Sequence, residues 1–356
     1  MSAAADSTSK SGSPPGPLET LPPAYFALVM ATGIVGIAAH LLGIAFVPET
    51  LLVLNVVFFA VLWVLFVLRA LRYSAAFRSD FSDPGRGVGF FTVVAATCVL
   101  GTQFVIQASA LRTASGLFVL ACILYPLVIY GVFAAITVRS DKPDLRHGLN
   151  GAWLVAIVAT QGVSILGGTV YAEFPGLERA ILLSTLCFWL VGGVLYLWIA
   201  ALIFYRYMFL DLEPAELGPP YWVDMGAVAI STLAGATLIA NLDQHPLLLE
   251  LAPFVKGLTL LFWSVATWWV PLLLLLGFWR HVVRRFPLRY DPSYWAMVFP
   301  LGMYTACTFK LSHALDLQEL EWIPRVAIWF ALVAWTVAFV GMLTTLTRGL
   351  TRARDA

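Results

Sequence analysis

The chain has 356 residues, of which 60 % are hydrophobic and only 12 % charged, and its mean hydropathy is +0.87. Soluble domains carry about one-quarter charged residues, so this composition excludes a soluble globular protein and identifies an integral membrane protein. The formal net charge of +1 gives no reason to expect a nucleic-acid partner.

Residues 1–20, MSAAADSTSKSGSPPGPLET, are rich in Ser, Ala and Pro and read as a disordered cytoplasmic tail. They lack the apolar central region of a signal peptide. Apolar runs then recur at 21–44, 50–71, 87–110, 114–138, 148–170, 178–208, 221–240, 252–279, 292–314 and 323–347. A hydrocarbon core of about 30 Å takes roughly 20 helical residues to cross, so the pattern predicts ten membrane-spanning helices. They occupy a single domain over 21–348, followed by a short basic cytoplasmic tail at 349–356.

Counting Lys and Arg on alternating sides gives 16 on one side, among them Arg69, Arg139, Arg206, Arg280 and Arg348, against 5 on the other: Arg112, Arg179, Lys256, Lys310 and Arg325. By the positive-inside rule both termini then lie in the cytoplasm of a multi-pass protein of the cell membrane, and an even span count is required.

Gly, Ala, Ser and Thr collect in the odd spans, whereas Leu, Phe and Trp dominate the even ones, with the tenth span blurring the contrast. Lipid offers no hydrophobic drive for helices to associate, so small residues mark those that pack closely. The expectation is an all-α protein of five helical hairpins, with five inner helices around a central pore and five outer helices facing lipid. The odd spans also begin with aromatics and reach a hydroxyl near mid-membrane, at Thr32, Thr97, Thr160, Thr232 and Thr305. With Gly33, these are the candidate pore-lining residues. A solid bundle packed by small residues is the alternative these patterns leave open.

Chemistry-bearing residues are sparse. Cys98, Cys122, Cys187 and Cys307 fall inside spans at no metal-ligand spacing, and the histidines at 40, 147, 245, 281 and 313 form no cluster, so neither metal, cofactor nor enzymatic site is expected. Gly85-x-Gly87-x-Gly89 follows no strand and fails as a phosphate-binding turn. Asp224 suits the first turn of the seventh span, where the helix dipole favours an acid. A membrane centre almost free of titratable groups favours a passive pathway over a pump.

The ninth span, YWAMVFPLGMYTACTFKLSHALDL, departs from the rest: Phe299-Pro300 lies near its middle and Lys310 and His313 near its end. Pro300 removes a backbone hydrogen bond and bends the helix, which can aim Phe299 at an axis, or Phe299 can simply fill a core. Lys310 and His313, three apart and on one side of the helix, fit either an electropositive outer vestibule for anions or snorkelling and pairing with Asp316.

PPAYFALVMATGIVGIAAHLLG, GFFTVVAATCVLGTQF, YWVDMGAVAISTLAGATLI and YWAMVFPLGMYTACTFKL together resemble the tellurite-resistance/dicarboxylate transporter family, related to the plant slow-type anion channels of the voltage-dependent anion channel superfamily. The resemblance covers residues 21 to 347 and is most specific at MATGIV and at the Phe-Pro pattern. It implies a ten-helix subunit with an anion pathway of its own, usually a homotrimer, carrying chloride, nitrate, malate, sulfite or tellurite. It also carries the role of pore plug onto Phe299. A proton-coupled C4-dicarboxylate or sulfite exporter fits the family equally well.

Overall fold

The computed structural model describes residues 16–354. Most of the expected N-terminal tail, residues 1–15, lies outside the described residues, as do 355 and 356. Among the described residues all regular structure is helical. Ten long helices dominate: α1 (Ala27–Leu41), α2 (Val47–Arg72), α3 (Phe91–Ala108), α4 (Leu111–Val138), α5 (Val155–Val170), α6 (Glu178–Phe209), α7 (Val223–Ile239), α8 (Ala252–Phe278), α9 (Trp295–Leu315) and α10 (Trp322–Arg354). Nine are both long and apolar enough to cross a membrane. The tenth, α9, is long enough, but Pro300, Lys310, Ser312 and His313 dilute its apolar content. It packs between α1 and α7 in the centre of the protein. Helix α10 runs on through Arg354, so most of the expected C-terminal tail continues the last helix.

The odd helices form a closed ring. Each packs on the next, α1 on α3, α3 on α5, α5 on α7, α7 on α9, and α9 returns to α1. Every even helix leans on the outside of its own odd partner, which makes five hairpins. Burial follows: the apolar windows of α1, α3, α5 and α7 are 78–89 % buried, those of the five even helices 17–44 %, so the small-residue helices are the inner ones. Helix α10, whose composition is mixed, is outer like its counterparts at 28 %.

Each inner helix is preceded by one 3-10 turn carrying an aromatic: Pro23–Phe26, Gly87–Phe90, Gly151–Leu154, Pro219–Trp222 and Pro292–Tyr294. Proline suits three of these starts because its missing N–H falls where helical donors have no partner. Asn150 and Asp291 cap two of them by accepting from Ala152 N and Ser293 N. The five turns touch in a second closed ring at the same end of the molecule. At Gly151 the approach is so close that a Cβ would run into the Pro220 carbonyl, which leaves glycine as the residue that fits.

Arginines at the ends of outer helices hold this face together. Arg69 donates from Nε to the Glu19 carbonyl (3.0 Å), Arg139 to Ser82 O (3.1 Å) and Arg206 to Leu149 O (2.7 Å). Each therefore ties an outer helix to the linker that leads into its own inner partner. Arg69 also pairs with Asp80 at 2.5 Å, and Asp80 is shared with Arg86 at 2.6 Å. Through Arg69 and Arg86, residues 19 and 20 of the tail are fastened to the bundle. At the opposite face the chain turns through left-handed residues at Gly43, Ser109 and Asp316, where helices α1, α3 and α9 stop.

Candidate functional site

On the ring axis, at the end where the inner helices begin, lies a cavity of about 200 Å³. All five inner segments contribute: Ala24 and Ala27, Gly89 and Thr92, Ala152 and Val155, Pro220 and Val223, and Ser293 and Ala296. These pairs are three residues apart and fix a common register. Met30 and Phe299, again three residues on, are the lining residues farthest along their helices. In that register the other three helices present Ala95, Val158 and Gly226, so Phe299 is the one aromatic at its level. Its side chain is buried, at 1 % exposure.

Two local features place it. Pro300 leaves the carbonyl of Ala296, four residues back and in the cavity wall, without its helical donor. Its ring lies against Gly226 of α7, where an added Cβ would stand 2.7 Å from Pro300 Cγ. Glycine on one helix thus accommodates the proline of the next.

The walls are nearly all apolar. Among the cavity-lining residues Asp291 at the mouth is the single charged one, and its carboxylate is engaged as the cap of the α9 turn. Five helix N-termini converge here, each bringing the positive end of its dipole, a setting that favours anions.

The predicted threonines fall into two levels. Thr32, Thr97 and Thr160 lie five residues beyond the cavity-lining set, and Thr232 and Thr305 lie nine beyond, which explains the irregular spacing from their aromatics. At 3.6 residues per turn these positions point about 140° and 180° away from it. Their partners agree. Trp335 Nε1 of α10 donates to Thr32 at 3.0 Å, and Tyr125 of α4 meets Thr160 at 3.0 Å. Thr97, Thr232 and Thr305 donate to carbonyls of their own helices. Gly33 faces Val99 of α3 and Asn55 of α2. None of these six lines the cavity, and Phe299 alone of the predicted pore residues borders it.

Lys310 and His313 lie beyond it toward the opposite face, Lys310 about 16 Å from Phe299 along the helix. Lys310 is partly buried and forms none of the ion pairs found among the described residues, so it is not paired with Asp316. His313 is exposed, stacks on Phe309 at 4.2 Å and hydrogen-bonds to its carbonyl.

The first-turn place of Asp224 is legible in the sequence, but its burial and its Tyr207 partner are not. Asp224 is fully buried behind Val223, with Oδ2 accepting from Tyr207 at 2.6 Å and Oδ1 without a partner. Nor did composition foretell the cavity register of Ala27, Thr92, Val155, Val223 and Ala296, although the aromatic before each inner helix was the usable signal.

Comparison with known proteins agrees with this architecture. The family model described as voltage-dependent anion channel matches residues 20–343. An uncharacterised membrane protein of Mycobacterium tuberculosis is 42 % identical over 149 residues, which is 42 % of this chain and 75 % of that one. An uncharacterised transporter of Methanocaldococcus jannaschii is 24 % identical over 327 residues, 89 % of this chain and 92 % of its own length. A sulfite efflux pump of Trichophyton rubrum is 22 % identical over 316 residues, 81 % of each chain.

Proposed function

The chain belongs to the voltage-dependent anion channel family, and we propose that it passes small anions across the cell membrane along the axis of its own five-helix ring, with Phe299 as the gate. The observation that carries this reading is the axial cavity bordered at depth by Phe299, the aromatic that precedes the proline of α9. An aromatic ring in a narrow apolar passage blocks ions sterically and by excluding water. The positive-inside bias supports a cavity that opens toward the cytoplasm. There five helix N-termini concentrate anions without fixed cations in the wall. Lys310, unpaired at the other end of the gate helix, supplies the corresponding attraction at the outer mouth. On this reading the pathway lies within one subunit, and assembly as a homotrimer, implied by the family, multiplies pathways rather than creating one.

A proton-coupled carrier is the second reading, and one feature favours it: the fully buried Asp224, with an oxygen that no neighbour satisfies. Sulfite export by the Trichophyton relative is compatible with either mechanism. Anion flux into liposomes, measured with and without an imposed proton gradient, separates them. Flux that follows the anion's own electrochemical gradient supports the channel. Flux that requires the proton gradient and disappears in Asp224→Asn would replace the channel by the carrier.

A further inference from the structure

The ring of outer helices is not evenly closed. Between α8 and α10 a groove of about 820 Å³ exposes the back of α9 to the surroundings, with Leu274, Met297, Leu301 and Phe330 among its apolar walls. It follows α10 from Trp322 to Gly341, a rise of about 28 Å, close to the thickness of a hydrocarbon core. The two ends differ in charge. One ends at Trp322 and Ile323; the other ends at Arg289, Tyr290 and Tyr294, on the loop that also carries Arg280, Arg284 and Arg285.

Arg280 breaks the repeat described above. Arg69, Arg139 and Arg206 each donate to a linker carbonyl, but the Arg280 side chain at the corresponding end of α8 makes no hydrogen bond or ion pair among the described residues. It is only 9 % exposed, its Nε is buried without a partner, and its guanidinium lies 4.5 Å from the Phe286 ring, behind the groove lining and within electrostatic reach of Tyr294 at the groove's end. A buried guanidinium with free donors is a site for an anion. The groove between α4 and α6, about 490 Å³, lacks this asymmetry, because both a cation, Lys142, and an acid, Asp144, line it.

We propose that the α8–α10 groove holds one anionic phospholipid, its phosphate on Arg280 and Arg289 and an acyl chain along α9. Apolar walls take the chain, and the basic end selects the headgroup charge. Met297 and Leu301, two residues either side of Phe299, lie about 160° around the helix from it. The lipid therefore presses on the back of the helix whose front carries the gate; this consequence, unlike the binding itself, rests on the proposed function.

Native mass spectrometry of the full chain, incubated with equal amounts of phosphatidylglycerol and phosphatidylcholine, tests it. Wild type should retain phosphatidylglycerol preferentially, and Arg280→Gln/Arg289→Gln should lower that retention about tenfold relative to phosphatidylcholine, as expected for the loss of charge-assisted hydrogen bonds to phosphate. Ala334→Trp, which fills the groove without touching the arginines, should remove both lipids, and it keeps the test decisive if the arginine variant does not fold. Excess inorganic phosphate should not displace the lipid; displacement would mean the arginines bind free phosphate. Equal retention of the two lipids, or an Ala334→Trp variant that changes oligomer mass while keeping its lipid, would overturn the proposal, the latter in favour of a second copy of the chain.

Discussion

Gly226→Ala tests how tightly the gate helix is held. The added Cβ would stand 2.7 Å from Cγ and 3.1 Å from Cβ of Pro300, whereas carbon atoms rest at about 3.5–4.0 Å. About 1 Å of separation must therefore come from moving α7 and α9 apart, and overpacking of this kind costs about 1–3 kcal/mol. Replacing a helical glycine by alanine returns about 1 kcal/mol through backbone entropy, so the net loss should be about 0–2 kcal/mol. Gly277→Ala on outer helix α8 isolates the two effects, because nothing lies within 4 Å of the Cβ it would add. That control should be stabilised by up to about 1 kcal/mol, which leaves the pair about 1–3 kcal/mol apart. Thermal denaturation in detergent, followed by the fraction remaining monodisperse, measures the difference. Pro300→Ala in the Gly226→Ala background removes the ring that is struck and should recover about 0.5–3 kcal/mol as coupling. Equal stability of the two glycine variants, or strictly additive losses in the double variant, would refute the contact between Gly226 and the proline.

Three further outcomes follow from the same geometry. Gly235→Leu, whose side chain would collide with Thr259, should abolish assembly, while Val53→Leu at a position 65 % exposed on α2 should be tolerated; expression and size-exclusion profiles compare them. The Glu216 carboxyl is held below its usual range first by the Glu213 N–H at 3.0 Å, against the penalty of burial, and then by Arg146. Its stabilisation is therefore complete above the ordinary glutamate value of about 4.3 and is lost as pH falls through the depressed one. Stability-versus-pH curves should show an acid limb that Glu216→Gln lacks. Lys310→Gln should lower anion flux most at low salt, since charges more than about 8 Å apart are already screened at physiological ionic strength; a loss independent of salt would assign Lys310 a packing role.

The architecture was legible in the sequence because lipid imposes two separable demands on composition. Length and hydropathy marked the helices, and small residues marked those that pack closely, so inner and outer helices emerged before any contact was known. Helix α9 shows why composition alone falls short: the one of the ten that is not apolar enough to count as a span belongs to the ring, where its neighbours rather than lipid surround Pro300 and Thr305. Directions were harder to read. Thr32 and Thr160 look like pore hydroxyls in a linear pattern, yet their partners Trp335 and Tyr125 belong to outer helices, contacts at long range that no local period encodes. The arginine anchors were visible only as topological charge, because the linker carbonyls they hold have no side-chain signature.

The most direct measurement is the current per molecule through Phe299→Ala, recorded in planar bilayers or as liposome flux and normalised to folded protein. Phe299 borders the axial cavity at a level where the other helices offer Met30, Ala95, Val158 and Gly226. If it is the gate, the truncation removes the obstruction and conductance rises, with Phe299→Leu intermediate. If it is only a core residue, the same change costs about 3–5 kcal/mol of stability, lowers the yield of folded protein, and leaves the current per molecule unchanged or reduced. The account predicts the rise; an unchanged or smaller current would contradict it.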